Sequence, residues 1–350
     1  MNSSSATSFD LTRTEPRYWA YVLEGALLIP FNGLIFLAVV RHKTLRERKE
    51  LIMPAALAFC DTLEGMSAFS AGLTRNFMLA KGTGWTLVSR WQCYLTPWNV
   101  LWSWSQHTGD PTLLALSCDR LIAVAWPLFH FGLTTTYGLV LVACAWLPAS
   151  FFAIYSIYMA SKHQEPERPA LCHTEYMWSA EYHKFNRSCR LMLSTASVLV
   201  YVVVVFVFWQ RQKKESHIVA SGAMKEYQKT QRNFTVTLGI SCIFTTVFYV
   251  LPGLVKTVLV SQGMVSKTAA AAMSWSYVLE NVNRGANIFL YSMRIRMIRL
   301  GIKYMLMGKT LTEAAIKNGT SKIAPLPSAR GQQSQKISIQ PVEPLKLEEM

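Results

Sequence analysis

Five ionisable residues stand inside otherwise apolar stretches of this chain: Asp61, Glu64, Asp110, Glu280 and Arg284. Charged side chains are costly in hydrocarbon, so residues of this kind face a protein interior, pair with one another and mark function. Asp61 and Glu64 share a helix face at i, i+3, and Glu280 and Arg284 share one at i, i+4. Glu64, His107 and Glu280 are expected to face a ligand cavity walled by Trp98, Trp102, Phe248, Tyr249 and Trp275. Aromatic walls with a few polar groups suit a small ligand, and the acidic bias favours a cation. Trp91, Trp98 and Trp275 also fit an interfacial aromatic belt. No nucleophile–base arrangement and no metal cluster is apparent, so the expectation is binding and switching, with no enzyme activity and no cofactor.

The elements that must position these residues are read from charge and hydropathy. The chain has 350 residues, 51% hydrophobic and 16% charged, against about 25% charged in soluble domains. Phe131 to Ser161, Leu191 to Trp209 and Asn233 to Val255 carry no Asp, Glu, Lys or Arg. A bilayer core takes roughly 20 apolar residues per helix. Four weaker spans join these three: Trp19 to Val40, Leu51 to about Leu73, Tyr94 to about Ala125, and Thr268 to Ser292. The expected fold is therefore all-α, a seven-transmembrane helix bundle.

The net charge of +15 would point to nucleic acid in a soluble protein. Here the bases flank the apolar runs, as cytoplasmic anchors and contacts to anionic membrane lipid do, so no nucleic-acid partner is expected. Basic clusters follow the first span (Arg41 to Lys49), the fifth (Arg211 to Arg232) and the seventh (Arg294 to Lys303). The other loops mix signs. With alternating spans this puts the N-terminus outside and the C-terminus inside. No removable signal peptide is visible in Met1 to Pro16. The sequons at Asn2 and Asn186 fall outside and are candidate glycosylation sites; those at Asn233 and Asn318 fall inside. Arg294 to about Met307 mixes bases with apolar residues, as a short amphipathic juxtamembrane helix does. From Gly319 onward Pro, Ser, Gln and charge dominate, a composition that cannot form a core. The expected organisation is an extracellular segment (1–18), a receptor domain (19–293), a membrane-surface helix (294–307) and a disordered tail (308–350).

Short patterns then fall in order along the spans. They are Asn32, Leu57-Ala-Phe-Cys-Asp61, Cys93, Asp119-Arg120-Leu121, Pro127-Leu128, Trp146, Pro252 and Asn287-Ile-Phe-Leu-Tyr291. Together they resemble the motifs of rhodopsin-like G-protein-coupled receptors over about residues 19 to 305. Ile288 stands where the family usually has proline, Leu121 where it has tyrosine, and the fifth span has no proline. These departures resemble the nematode-type serpentine chemoreceptors of the Srsx sort. The resemblance implies a plasma-membrane receptor for an extracellular ligand, coupled to a heterotrimeric G protein. It implies that Asp119 and Arg120 pair at rest, that Arg120 is released on activation, and that Asn287 and Tyr291 take part in the switch. Counted from the terminal motifs, Asp61 and Arg284 meet at mid-bundle, where Arg284 supplies the charge that sodium gives in many relatives. Asn32, Asp110 and Asn283 belong to the same intramembrane polar network. Cys93 and Cys172 fall outside, where a disulfide persists, with Cys189 as a competing partner. Cys60, Cys118, Cys144 and Cys242 are expected to be small apolar packers.

Two other classes compete. A retinal protein needs a lysine in the seventh span, and Thr268 to Ser292 has none. A transporter often shows internal repeats, which are not seen, and an inverted channel would need the basic loops outside. A seven-helix transporter or ligand-gated channel without G-protein coupling is the alternative.

Overall fold

The computed structural model describes residues 15–174, 177–215, 222–261, 277–286 and 295–312. Helix α1 (Pro16–Arg41) starts with proline in its first turn and leads through the single turn α2 (Lys43–Arg46) into α3 (Lys49–Ala80). A two-stranded antiparallel ribbon of β1 (Leu87–Ser89) and β2 (Pro166–Pro169) brackets α4 to α7 in sequence. These are α4 (Arg90–Tyr94), α5 (Pro97–Ala125), α6 (Pro127–Gly132) and α7 (Thr135–Ser161). Then come α8 (Ala180–Glu215), α9 (Gly222–Thr245), a π-helical turn (Thr246–Val250) and α10 (Leu251–Ser261). Helical residues 277–286 form α11, and α12 (Arg296–Leu306) closes the described chain.

Among the described residues, five stretches are long and apolar enough to cross a membrane: Pro16–Arg41, Lys49–Ala80, Thr135–Ser161, Ala180–Arg211 and Gln231–Val255. The three uncharged runs of the sequence fall on the last three, the first of them beginning at Phe131 in α6. α7 is apolar all round and exposes Leu147, Phe151 and Ile154, and α8 exposes Leu199, Val202 and Phe206. Lipid is the solvent that suits such faces. α5 is 29 residues long, about 43 Å at the helical rise, yet it is more polar than these five. Its polar residues are tolerated because it lies at the centre, packed against α3, α7, α8 and α9.

Several boundaries differ from those expected. The third span does not run unbroken from Tyr94. α4 is capped by Ser89, whose hydroxyl accepts from the Gln92 amide while the Gln92 side chain accepts from the Ser89 amide. The chain then breaks at Leu95–Thr96, and Pro97 begins α5. The fourth helix starts at Thr135, because residues 127–132 form the separate helix α6. The fifth starts at Ala180, three turns ahead of the uncharged run. Cys144, expected to pack inside, is exposed on α7, where its small apolar side chain meets the outer surface instead of the core. Of the seventh span only 277–286 is described; Trp275, Asn287 and Tyr291 lie outside the described residues, as do Asn2 and most of the tail.

α1 and α3 approach to backbone contact. A Cβ at Gly25 would stand 2.5 Å from the Gly65 carbonyl oxygen, and one at Gly72 would stand 2.4 Å from the Tyr18 carbonyl oxygen. Glycine is needed at both crossings because no side chain fits. At the other end of α1, His42 accepts the Leu311 amide at Nδ1 and so donates from Nε2 to the Gly301 carbonyl oxygen, at 3.2 and 3.0 Å. This seats α12, whose Ile298 and Gly301 are buried. Overpacking a close contact costs about 1–3 kcal/mol or more. Gly25→Val should therefore lower the thermal midpoint of the purified protein and its surface expression, whereas Gly132→Ala, in open space, should not. Equal midpoints for the two variants would refute the crossing.

Candidate functional site

The polar residues of the bundle form tiers along α5. At one end lies the loop after α7. Cys93 and Cys172 are joined by a disulfide, which leaves Cys189 as a free thiol on α8. The loop is also held by hydrogen bonds. Arg75 of α3 donates to the Leu171 and Cys172 carbonyl oxygens at 2.9 and 2.8 Å, and Asn99 donates to those of Cys93 and Cys172 at 2.8 and 3.1 Å. Cys172 has φ 43°, the left-handed region that L side chains avoid, and these bonds over-determine it. Beside it His173 Nε2 meets the Tyr18 hydroxyl at 3.2 Å. Burial, then the guanidiniums of Arg75 and Arg17, hold the His173 imidazole down to about 3.

Beneath this loop the expected ligand residues divide. Trp98, Trp102 and His107 are buried in one aromatic cluster with Trp178 and Tyr182. Trp98 is thus no belt residue. The Trp178 ring lies 5.5 Å from Trp102 and 5.9 Å from His107. His107 Nδ1 bonds to the Ser103 carbonyl oxygen at 2.6 Å, so Nε2 presents a lone pair, for which the described residues provide no donor. The indole N–H groups of Trp102 and Trp178 likewise lack acceptors among the described residues. Phe248 sits apart, stacked on Phe244 at 5.7 Å. A separate small cleft opens between α5, α8 and α9, lined by Leu113, Ser117, Ser197, Tyr201, Leu238 and Thr245.

The middle tier is made of ion pairs between helices. Arg284 of α11 donates to Asp61 of α3 at 3.1 Å. Asp110 of α5 accepts Arg190 Nε at 2.8 Å, the Ser194 hydroxyl at 3.0 Å and the Tyr249 hydroxyl at 3.4 Å. Arg190 also donates to Tyr249 at 2.8 Å, lies 3.8 Å from Glu280, and faces the Trp102 ring at 5.9 Å. Glu64 accepts Gln106 Nε2 at both oxygens, each at 3.0 Å, and the Tyr277 hydroxyl at 2.9 Å. Asn283 Oδ1 accepts the Thr245 hydroxyl at 3.2 Å, and Asn32 is buried with its amide nitrogen unpartnered among the described residues.

Arg190, Trp178, Gln106 and Tyr277 were missed by sequence reasoning. Arg190 had a signal: it stands four residues before Ser194, on the face that meets Asp110. Drawing the fifth span from Leu191 hid it. Glu280 and Arg284, set on one face by spacing, turn to different partners.

At the end bearing the basic segments, Arg120 is fully buried. Its Nε donates to Asp119 at 2.8 Å, its Nη2 pairs with the same carboxylate, and its Nη1 donates to Gln231 of α9 at 2.7 Å. Asp119 also bonds His130 of α6 at 3.0 Å. Lys49 seals the end of α6 by donating to the Phe131 and Leu133 carbonyl oxygens at 3.0 and 2.8 Å, and to that of His130. The Arg120 guanidinium faces the Phe234 ring at 5.5 Å. Asn186, the second sequon, lies in α8 and is buried.

The sequence model of one family, described as serpentine type 7TM GPCR chemoreceptor Srsx, matches residues 29–306. No curated protein matches the chain.

Two outcomes follow from this geometry. Removing one partner of a buried pair costs about 3–5 kcal/mol. Arg284→Ala should therefore lower surface expression sharply, and Asp61→Asn added to it should restore part of the loss; normal expression of the single variant would refute the pairing. His173 is held neutral, so its contribution is complete above its ordinary value of 6.5 and is lost as pH falls toward about 3. Acidifying the purified protein from pH 7 to 5 should cost up to about 2 kcal/mol, seen as a falling thermal midpoint. His173→Gln should flatten that slope, and an equal slope in both proteins would discard the role.

Proposed function

The chain belongs to the Srsx family of serpentine seven-helix chemoreceptors, and from that premise we propose that it is a G-protein-coupled receptor for an extracellular ligand. The membrane-embedded helices and the family make it a multi-pass membrane protein with a receptor's role. In the proposed arrangement seven helices cross the plasma membrane, with residues 1–18 outside and 308–350 inside. Residues 294–307 lie on the inner leaflet. Asn2 is the proposed glycosylation site, and Asn186 is withdrawn because its side chain is buried in α8.

The observation that carries this reading is the Arg120 lock. A fully buried guanidinium at the basic end joins Asp119 of α5 to Gln231 of α9. Such a contact is stable only while the two helices stay together. When they part, Arg120 is left without its α9 partner and becomes available to a protein docking from inside. Asn287 and Tyr291 are proposed to act in the same switch. Ligand binding is proposed in the outer half, where the Trp102–His107–Trp178 cluster carries unmet hydrogen-bonding atoms and Arg190 joins Asp110, Tyr249 and Glu280. Glu64, Trp98, Phe248 and Trp275 complete the proposed ligand set. A ligand favouring the open inner end would shift an existing equilibrium by its differential affinity.

The test is a ligand-library screen in cells carrying promiscuous G-protein reporters. A hit should give a response that Arg120→Ala reduces by on the order of tenfold, the scale of a coupling of 1–3 kcal/mol, when cells of matched surface expression are compared. An undiminished response would sink the lock. A ligand-evoked ion current without any reporter signal would favour the channel reading instead.

A further inference from the structure

We propose that the start of α1 and the facing turn of α3 form a binding site for an oxyanion, the carboxylate or phosphate group of an extracellular ligand, held by Arg75 with Arg17 and Asn76. The inference rests on the reading of this chain as a ligand receptor and names the charge that its ligand carries. The Gly72 crossing sets the site by bringing α3 against the Tyr18 carbonyl oxygen. Three nitrogen-bearing side chains then gather round one ring. The Arg17 and Arg75 guanidinium carbons lie 5.0 and 5.8 Å from the Tyr18 centroid, and the His173 ring lies 6.0 Å from it. Arg75 is 4% exposed, and an arginine stays protonated in a protein. Its Nε and Nη2 donate to the Leu171 and Cys172 carbonyl oxygens, which are neutral, and its Nη1 makes no hydrogen bond among the described residues. The groups that act most strongly on its charge are Tyr18, Tyr21, Tyr277 and Arg17, none of them a carboxylate.

Glu15 is the carboxylate that reaches this cluster among the described residues, and it pairs with Arg17. Two guanidiniums thus share one acid, and a buried cation left without its own counter-ion is costly. The His173 imidazole meets the same positive field, since the two guanidiniums help to hold it neutral. A second observation is independent of charge. Asn76 Oδ1 accepts the Glu15 amide at 3.3 Å, so its Nδ2 is the donor end, and that buried NH₂ meets no acceptor among the described residues. α1 begins at the same place, with no side-chain cap and no acid in its first turn. A helix start carries unpaired N–H groups and partial positive charge, and it attracts anions. Arg17 and Glu15 are only partly covered, so the cluster reaches solvent on its α1 side. Unmet donors beside unbalanced guanidiniums call for a ligand group that accepts hydrogen bonds and is negative. An oxyanion is both, whereas an ammonium would be repelled.

Thermal unfolding of the purified full-length protein in phosphatidylcholine nanodiscs tests the site without G protein, so a failure of coupling and a failure of the site are told apart. At pH 7 and constant ionic strength, sodium chloride is replaced by sodium benzoate in one arm and by sodium phosphate in the other. Benzamide serves as the uncharged control. A saturable rise of the midpoint is expected in at least one arm, and none with benzamide. A rise with benzoate alone identifies a carboxylate, and a rise with phosphate alone identifies a phosphate group. Arg75→Gln should abolish the rise. Arg17→Gln should raise the half-saturating concentration about threefold, the scale of a partly exposed charge contact. Because Arg75 also holds the Cys172 segment, Arg17→Gln decides wherever Arg75→Gln does not fold. The proposal is overturned by a wild-type midpoint that neither oxyanion raises, or by an equal rise with benzamide. A rise undiminished in the deciding variant overturns it as well.

Discussion

A charge inside a lipid-facing bundle must be neutralised by a neighbour, because water is not there to do it. Taking an ion out of water costs several kcal/mol, and only a close and well-bonded partner repays it. This chain meets that constraint by stationing carboxylates on α3 and α5 and bringing arginines to them from other helices: Arg284 from α11 and Arg190 from α8. Each pair is therefore also a tie between helices. Ties of this kind are not continuously adjustable. A helix either keeps its partner or exchanges it, which gives the bundle discrete arrangements instead of gradual drift.

The two ends of the bundle are tied differently. Near the ribbon, a disulfide, the Arg75 and Asn99 hydrogen bonds and the buried aromatic cluster all converge on the Cys172 segment. At the other end the tie between α5 and α9 includes one arginine–glutamine hydrogen bond and a guanidinium over a phenyl ring. The first end is covalent and many-fold, the second is non-covalent and sparse. An equilibrium between two arrangements needs the second kind, since the difference between states must stay within a few kcal/mol.

The architecture was legible where lipid surrounds a helix and illegible where protein does. Three uncharged runs announced α7, α8 and α9 with α10, because lipid-facing helices need apolar residues on most sides. α5 packs among α3, α7, α8 and α9, so its residues answer to those neighbours and its hydropathy says little. The approach of Asp61 to Arg284 could be read from counting along two spans. Gln106 could not, because a neutral amide gives no sign of which carboxylate it will meet. Trp178 lies in a loop, where no periodicity assigns a face. The disulfide stayed open between two partners until the placement of Cys189 on α8 removed one of them.

The π-helical turn at Thr246–Val250 has a geometric consequence for everything beyond it. A π turn accommodates one residue more than an α turn, and one residue is about 100° of rotation. α10 is therefore out of phase with α9 by about a quarter turn or slightly more. The face that α9 gives to the bundle is not the one that α10 gives. Within the turn, Phe248 is directed to Phe244 while the adjacent Tyr249 reaches inward to Arg190. The extra residue thus sets the azimuth of the α10 half of this helix independently of its α9 half, so one rod can carry two separately aimed surfaces.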